Sequence, residues 1–290
     1  MSDVAVDADA LERLARGFAE RQVDVGRRGA QITVRESGPR DGTSGAQVLV
    51  CLHGIGSGSA SWWPVAGRLA PQARVIAWDA PGYGTSTPLE SSTPTAYDYA
   101  SRLHALLDAM DIGRCVLVGH SLGAFAAAAT ARALGSERVA RLVLISPARG
   151  YGGADRTARS AEVRSERLGT LQALGIAGMA AQRTGRLLSD GADAEARAWV
   201  RWNMARLNDG GYRQAIELLC GDDLLRHLPP PVPCEVFCGA LDLVTPPSAC
   251  AEIAAACGVA LQSIPAAGHA SYLEQPGLVA QALLRNALMP

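Results

Sequence analysis

The sequence contains no lysine: all 27 of its basic residues are arginine. That excludes Schiff-base chemistry on a lysine amine and the lysine-bearing phosphate loop. Neither charge is in surplus, because 28 acidic residues leave a formal net charge of −1. Nucleic acid is therefore not expected as a partner, since phosphate binding needs a clear basic excess. No apolar run approaches the ~20 residues of a membrane span, so no membrane partner is expected. The first ten residues, MSDVAVDADA, are acidic and lack both a basic start and an apolar stretch. They do not read as a signal peptide, and the expected location is the cytoplasm. Cysteines number seven (Cys51, Cys115, Cys220, Cys234, Cys238, Cys250 and Cys257), an odd count that fits no zinc spacing. Several lie in apolar runs, where a reduced thiol packs as a small hydrophobe.

What is present is an ordinary globular composition. The 290 residues are 48% hydrophobic and 19% charged, enough to build one large core. Apolar residues at helical spacing (Leu11, Leu14, Ala15, Phe18) predict a helix over residues 9–20. Two strands are expected over 22–26 and 30–36, with Arg27-Arg28-Gly29 as their turn, then a loop over 37–46. From residue 47 the pattern changes: 48–52 is a continuous apolar run, and similar runs recur at 75–78, 115–118, 142–145, 235–238 and 260–264. Such runs suit strands buried on both faces. Helix-compatible segments at 61–69, 96–110, 122–134, 247–257 and 276–288 separate most of them. Alternation of this kind specifies an α/β fold with a mostly parallel sheet. The interval 154–225 breaks it and reads as several short inserted helices, followed by a stiff proline link, Pro229-Pro230-Pro231-Val232-Pro233.

The chemistry centres on Gly119-His120-Ser121-Leu122-Gly123, a G-x-S-x-G motif between an apolar strand and an alanine-rich helix. Glycines on both sides permit a sharp turn that lifts a serine hydroxyl above the sheet. Ser121 is the expected nucleophile. A serine needs a base, and there are five histidines: His53, His104, His120, His227 and His269. His269 follows the last expected strand, where loops emerge at the carboxyl ends of the sheet, and is the expected base. His120 should be turned away by the strained elbow and packed nearby. His104 lies within a helical run, and His227 reads as a cap or surface residue. The orienting acid is expected at Asp242, just past strand 235–238, which makes the chain order Ser, Asp, His. Asp222 and Asp223 precede that strand. Backbone N–H groups of Leu122 and Ile55 are the expected oxyanion donors, the latter from the loop His53-Gly54-Ile55-Gly56-Ser57-Gly58. His53 is expected to brace that loop. Asp79, in Asp79-Ala80-Pro81-Gly82-Tyr83-Gly84, is expected to accept from nearby N–H groups.

Together these residues resemble the α/β-hydrolase superfamily. The resemblance runs from His53-Gly54 through Asp79-x-Pro81-Gly82-x-Gly84-x-Ser86 and Gly119-x-Ser121-x-Gly123 to Asp242 and Gly268-His269. The branch it looks like includes 3-oxoadipate enol-lactonases, non-haem haloperoxidases or perhydrolases, and meta-cleavage-product hydrolases. It implies a Ser121–His269–Asp242 triad, a helical cap, and no cofactor or metal. With the patterning above, the expected organisation is an N-terminal helical extension over 1–21, a hydrolase core over 22–147 and 229–290, and a cap over 148–228. A serine nucleophile sets the chain apart from the family's aspartate-nucleophile dehalogenases and epoxide hydrolases. After the histidine stands Ala270, where meta-cleavage hydrolases usually carry tryptophan. The stretch Gly268-His269-x-x-Tyr272-x-Glu274-Gln275-Pro276 looks closer to lactonases and esterases.

The expected activity is hydrolysis of a small carboxylic ester, thioester or lactone through an acyl-enzyme. Trp199, Trp202, Met204, Leu171 and Met179 are candidates for an apolar pocket. One alternative is a carbon–carbon hydrolase of ring-cleavage products, with a cap arginine gripping a carboxylate. Arg164, Arg167, Arg183, Arg186, Arg197, Arg201 and Arg206 are all available, and the sequence selects none. The other alternative is a ligand receptor on the same fold. The expected partner is a small-molecule substrate, and self-association is left open.

Overall fold

The computed structural model describes residues 5–26, 29–40 and 46–284. Eight strands form one sheet: β1 (Ala19–Asp24), β2 (Gln31–Ser37), β3 (Gln47–Leu52), β4 (Ala73–Trp78), β5 (Cys115–His120), β6 (Val139–Ile145), β7 (Cys234–Gly239) and β8 (Leu261–Ile264). Their order is β1-β2-β4-β3-β5-β6-β7-β8. β1 and β2 pair antiparallel, as do β2 and β4. The pairs from β4 through β3, β5, β6 and β7 to β8 are parallel.

Strand β5 shows why the apolar runs were continuous: all six of its residues are buried. Leu117 enters the core beside α3 (Ala96–Ala109) and α4 (Gly123–Arg138), with Leu103, Leu106 and Phe125. Val116 and Val118 enter the opposite core beside α2 (Trp63–Leu69) and α10 (Pro276–Leu284), with Leu69, Val279 and Leu283. The period of two therefore feeds both faces. Each fully buried Leu or Phe contributes about 1.5–3 kcal/mol through removal from water.

The N-terminal helix is shorter than its apolar spacing predicts. Helix α1 (Ala8–Gly17) starts at Asp7, whose carboxylate accepts from Ala10 N–H at 2.6 Å. It ends at Gly17, and Phe18 is fully buried beyond its last turn. Ala19–Asp24 is already strand, so sheet pairing begins before residue 22. Only Val23 is buried in this edge strand, which is why alternation did not reveal it. Arg27 and Arg28 of the expected turn, residues 41–45 of the expected loop and residues 285–288 of the expected last helix lie outside the described residues.

Between β6 and β7 lie α5 (Thr157–Arg183), α6 (Ala194–Ala205) and α7 (Asp209–Gly221). Helix α5 is 27 residues long but breaks at Gly175, where φ is 61° and ψ is −175°. The segment is thus a set of shorter helical pieces. Helix α8 (Pro247–Ala256) connects β7 to β8, and the short α9 (Ser271–Glu274) follows the last strand. Among the described residues no helix is long and apolar enough to cross a membrane.

Candidate active site

Strand β5 and helix α4 meet at Ser121, and the chain has almost no room there. A Cβ on Gly123 would sit 2.3 Å from the Leu52 carbonyl oxygen, and one on Gly119 would sit 2.8 Å from Ala124 Cα. Only glycine allows the helix to approach the sheet this closely. Ser121 itself is held at φ 52°, in the left-handed region. For a non-glycine residue that costs about 1–3 kcal/mol, which the surrounding structure must offset. Its N–H donates to Ile145 O at 3.1 Å, and its carbonyl accepts from Ala124 and Ala148. The elbow is thereby tied to the end of β6.

The other two expected residues come from loops after β7 and β8. His269 Nδ1 lies 2.8 Å from Asp242 Oδ2. Asp242 is buried, and it is fully occupied as an acceptor. Val244 N–H and Thr245 N–H donate to Oδ1 at 2.8 and 2.9 Å, and the Thr245 hydroxyl lies 2.9 Å from Oδ2. Burial works against the charge of Asp242. The charge and hydrogen bond of His269, aided by Thr245 N–H, outweigh it and hold the carboxyl at about 2. The ionised Oδ2 accepts from Nδ1–H, which fixes the orientation of the His269 ring.

The loop bearing His269 is pinned by Glu274. One carboxylate oxygen accepts from Ser189 N–H at 2.9 Å and the other from Gly268 N–H at 2.7 Å. This gives the Glu of the Gly268-His269-x-x-Tyr272-x-Glu274 stretch a physical task. Tyr272 stacks on Trp62, with ring centroids 4.8 Å apart, and meets His120 edge-on at 4.7 Å. His120 also packs 4.7 Å from the His269 ring.

Ser121 and His269 open into a cavity of about 310 Å³, and Ile55 and Leu122 line it too. Among the described residues neither the Ile55 nor the Leu122 N–H donates to another group. Tyr83 Oη–H donates to Ile55 O at 2.9 Å and anchors that peptide. His53 braces the same loop: Nδ1–H donates to Gly54 O at 2.8 Å, and Nε2 accepts from Ala80 N–H at 3.0 Å. Burial, partly countered by Asp79, lowers its pKa and keeps the ring neutral. Asp79 accepts from Ser59 N–H at 2.7 Å.

Not every expected residue gathers here. Met179 and Met204 line the cavity, whereas Leu171, Trp199 and Trp202 do not. Trp199 is buried in the packing of α6, and Trp202 lies under Arg206 at 4.4 Å. Arg167, Arg183 and Arg186 line the cavity, and Arg159, not among the seven arginines considered, joins them. His227 is not a surface residue: it is buried 3.5 Å from Asp222. Asp222 instead accepts from Ala96 N–H at 3.0 Å, and Asp223 pairs with Arg149 at 3.2 Å. His104 is half exposed on α3 beside Asp108. Thr245 was not among the expected residues, Glu274 was noted only within a matching stretch, and His120, expected nearby, packs on His269. Thr245 lies three residues past Asp242, and only the folded loop brings its hydroxyl to Asp242 and His269. All seven cysteines are free thiols. Among the described residues no group of three His, Cys, Asp or Glu side chains could hold a metal ion.

Comparison with known proteins places this geometry in a family. The alpha/beta hydrolase family model matches residues 49–282. A 2-(acetamidomethylene)succinate hydrolase of Mesorhizobium japonicum is 36% identical over 107 residues, 37% of this chain and 35% of that protein. A 2-hydroxy-6-oxononadienedioate/2-hydroxy-6-oxononatrienedioate hydrolase of Pseudomonas putida is 36% identical over 114 residues, 38% of this chain and 39% of that protein. The matched stretch thus spans little more than a third of the length of these curated relatives. A solved hydrolase structure from Pseudomonas aeruginosa PA01 superposes with a TM-score of 0.79 at 25% identity, covering 93% of this chain and 98% of that one. The chain belongs to the alpha/beta hydrolase family.

Proposed function

We propose that the protein is a serine hydrolase that cleaves a small carboxylic ester, thioester or lactone, with Ser121, His269 and Asp242 as its triad. One observation carries the reading: Ser121, strained at a strand–helix turn, shares a cavity with His269, whose Nδ1 is held by Asp242. The Ser121 hydroxyl attacks the acyl carbon while His269 Nε2 takes its proton. The oxyanion is met by the N–H groups of Leu122 and Ile55. His269 then protonates the leaving oxygen or sulfur, and an acyl-enzyme remains on Ser121. Water, deprotonated by the same Nε2, attacks the acyl carbon and frees Ser121. Asp242 keeps the proton on Nδ1 throughout and stabilises the imidazolium. The helical segment over 148–228 serves as the cap that encloses the substrate. This chemistry calls for no metal or organic cofactor.

A second reading, hydrolysis of a carbon–carbon bond in a ring-cleavage product, is favoured by the likeness to the Pseudomonas putida enzyme. The same triad would serve it. A paired assay of the wild type and Ser121→Ala separates the two. Turnover of short p-nitrophenyl esters or lactones, lost in the variant, supports acyl hydrolysis. Turnover of a vinylogous ring-cleavage diketone alone moves the protein to the second reading. Turnover of esters that survives in Ser121→Ala rejects the proposed nucleophile.

A further inference from the structure

The cavity carries far more positive charge than the chain as a whole. Four arginines line it (Arg159, Arg167, Arg183 and Arg186) against one carboxylate, Glu166. The cavity therefore has a surplus of three positive charges in a protein whose net charge is −1.

Several partly buried arginines elsewhere are ion-paired, whereas Arg197 donates to the carbonyls of Ser189, Asp190 and Ala192. Arg35 meets Glu20 at 2.6 Å, Arg74 meets Glu36 at 2.6 Å, and Arg149 meets Asp223 at 3.2 Å. Even Arg164, on α5 but outside the cavity, meets Glu217 at 3.1 Å. Among the cavity arginines Arg159 pairs with Glu162 at 2.9 Å. Arg167, Arg183 and Arg186 differ. Among the described residues they form no ion pair within 4.0 Å, and Arg167 Nη1 only donates to the neutral Tyr212 hydroxyl at 3.1 Å.

These three also repel one another. Burial lowers the pKa of Arg183 first and the charge of Arg167 lowers it further; Tyr212 and Glu166 offset part of this, and Arg186 adds the smallest lowering. A guanidinium cannot shed its proton near neutral pH, so the repulsion that Glu166 leaves uncompensated would be relieved by an incoming anion. A cleft walled by one sign of charge also concentrates ligands of the other sign.

We infer that Arg167, Arg183 and Arg186 receive a carboxylate carried by the substrate, at the end remote from its scissile carbonyl. This rests on the hydrolase reading above for the position of that carbonyl at Ser121. The arginines stand on α5 and the turn after it, whereas Ser121 and His269 stand on loops at the sheet edge. Val163, Met179, Val200 and Met204 line the same cavity and suit a short apolar chain between the two ends. A volume of about 310 Å³ is at the small end of ligand pockets and favours a short dicarboxylic half-ester over a nucleotide-bearing thioester. The planar, bidentate fork of arginine matches a carboxylate.

Titration calorimetry on Ser121→Ala, which cannot turn over, tests the inference without relying on catalysis. The probes are glutarate and its neutral isostere glutaramide. Glutarate should bind at least about tenfold more tightly, and added salt should weaken glutarate alone. Arg183→Gln and, separately, the exposed Arg186→Gln should each lower glutarate affinity by about 10- to 100-fold. Arg164→Gln removes the same charge outside the cavity and should leave glutarate binding as it was. Equal binding of the two probes, binding of neither, or equal losses in Arg164→Gln and Arg183→Gln would overturn the inference. Wild-type turnover of p-nitrophenyl hemiglutarate and p-nitrophenyl valerate then tests the underlying reading. Arginine-dependent glutarate binding with neither ester cleaved defeats the hydrolase reading and leaves the anion site standing. Both esters cleaved at equal kcat/KM, with no glutarate binding, does the reverse.

Discussion

His120 Nε2–H donates to the main-chain carbonyl of His269 at 2.9 Å. The neighbour of Ser121 in sequence therefore holds the backbone of the residue proposed to deprotonate Ser121. Burial lowers the pKa of His120 first, and the nearby His269 lowers it further. The ring stays neutral and adds no charge to compete with an imidazolium at His269. His120→Leu removes the donor and leaves a buried carbonyl unpaired, so kcat should fall by about 10- to 100-fold. KM should change much less. His120→Gln, whose amide nitrogen can reach the same carbonyl, should recover part of the loss. Unchanged kcat in His120→Leu would remove His120 from the positioning machinery.

Asp242 makes stability sensitive to acid. Its carboxyl is held at about 2 against an ordinary value of 3.8. The depressed value contributes about 2 kcal/mol that is fully present above the ordinary pKa and lost as pH falls through about 4 towards 2. His53 and His120 act earlier, because both are buried and neutral with lowered pKa values. Their contribution is present above about 6.5 and declines as pH falls below it. Urea unfolding across this range should show both declines in the wild type. Asp242→Asn should be less stable at neutral pH, and its deficit should shrink below about pH 4. A deficit that stays constant with pH would mean that the Asp242 charge contributes nothing to stability.

Asp242→Asn should also lower kcat by about 10²- to 10⁴-fold, because an amide can turn its N–H towards Nδ1 and favour the wrong histidine tautomer. Ester kinetics on a variant that retains the wild-type circular dichroism spectrum would check this. Loss of kcat smaller than about tenfold would give the orienting role to Thr245, which also lies 3.2 Å from Nδ1.

Gly123→Ala tests the elbow. The added methyl would meet the Leu52 carbonyl oxygen at 2.3 Å, so strand or helix must shift. Overpacking of this kind costs about 1–3 kcal/mol. The unfolding midpoint should fall, and ester turnover should fall with it because Ser121 moves. A variant as stable as the wild type would show that α4 can back away from β3 without strain.

These residues also show what the sequence makes legible. Ser121, Asp242 and His269 each follow a strand, and a mostly parallel sheet brings all such strand ends to one edge. The glycines at 119 and 123 were legible because the turn forces backbone contact whatever the rest of the fold does. The cavity arginines were not. Their inward or outward aim depends on how α5 packs on α6 and α7, and the break at Gly175 interrupts any helical period that might have separated the faces. Trp199 misleads for the same reason: a large apolar side chain looks like pocket lining when it is core. The surface alternative for His227 fails because the turn at residues 224–227 buries the ring beside Asp222.

The most direct test of the proposed chemistry is labelling with a fluorophosphonate, followed by intact mass and peptide mapping. The wild type should take one phosphonyl group, on Ser121, and lose its ester turnover in proportion. Ser121→Ala should take none and show kcat reduced by about 10³- to 10⁶-fold. A label on another residue, or turnover surviving in Ser121→Ala, would contradict the account.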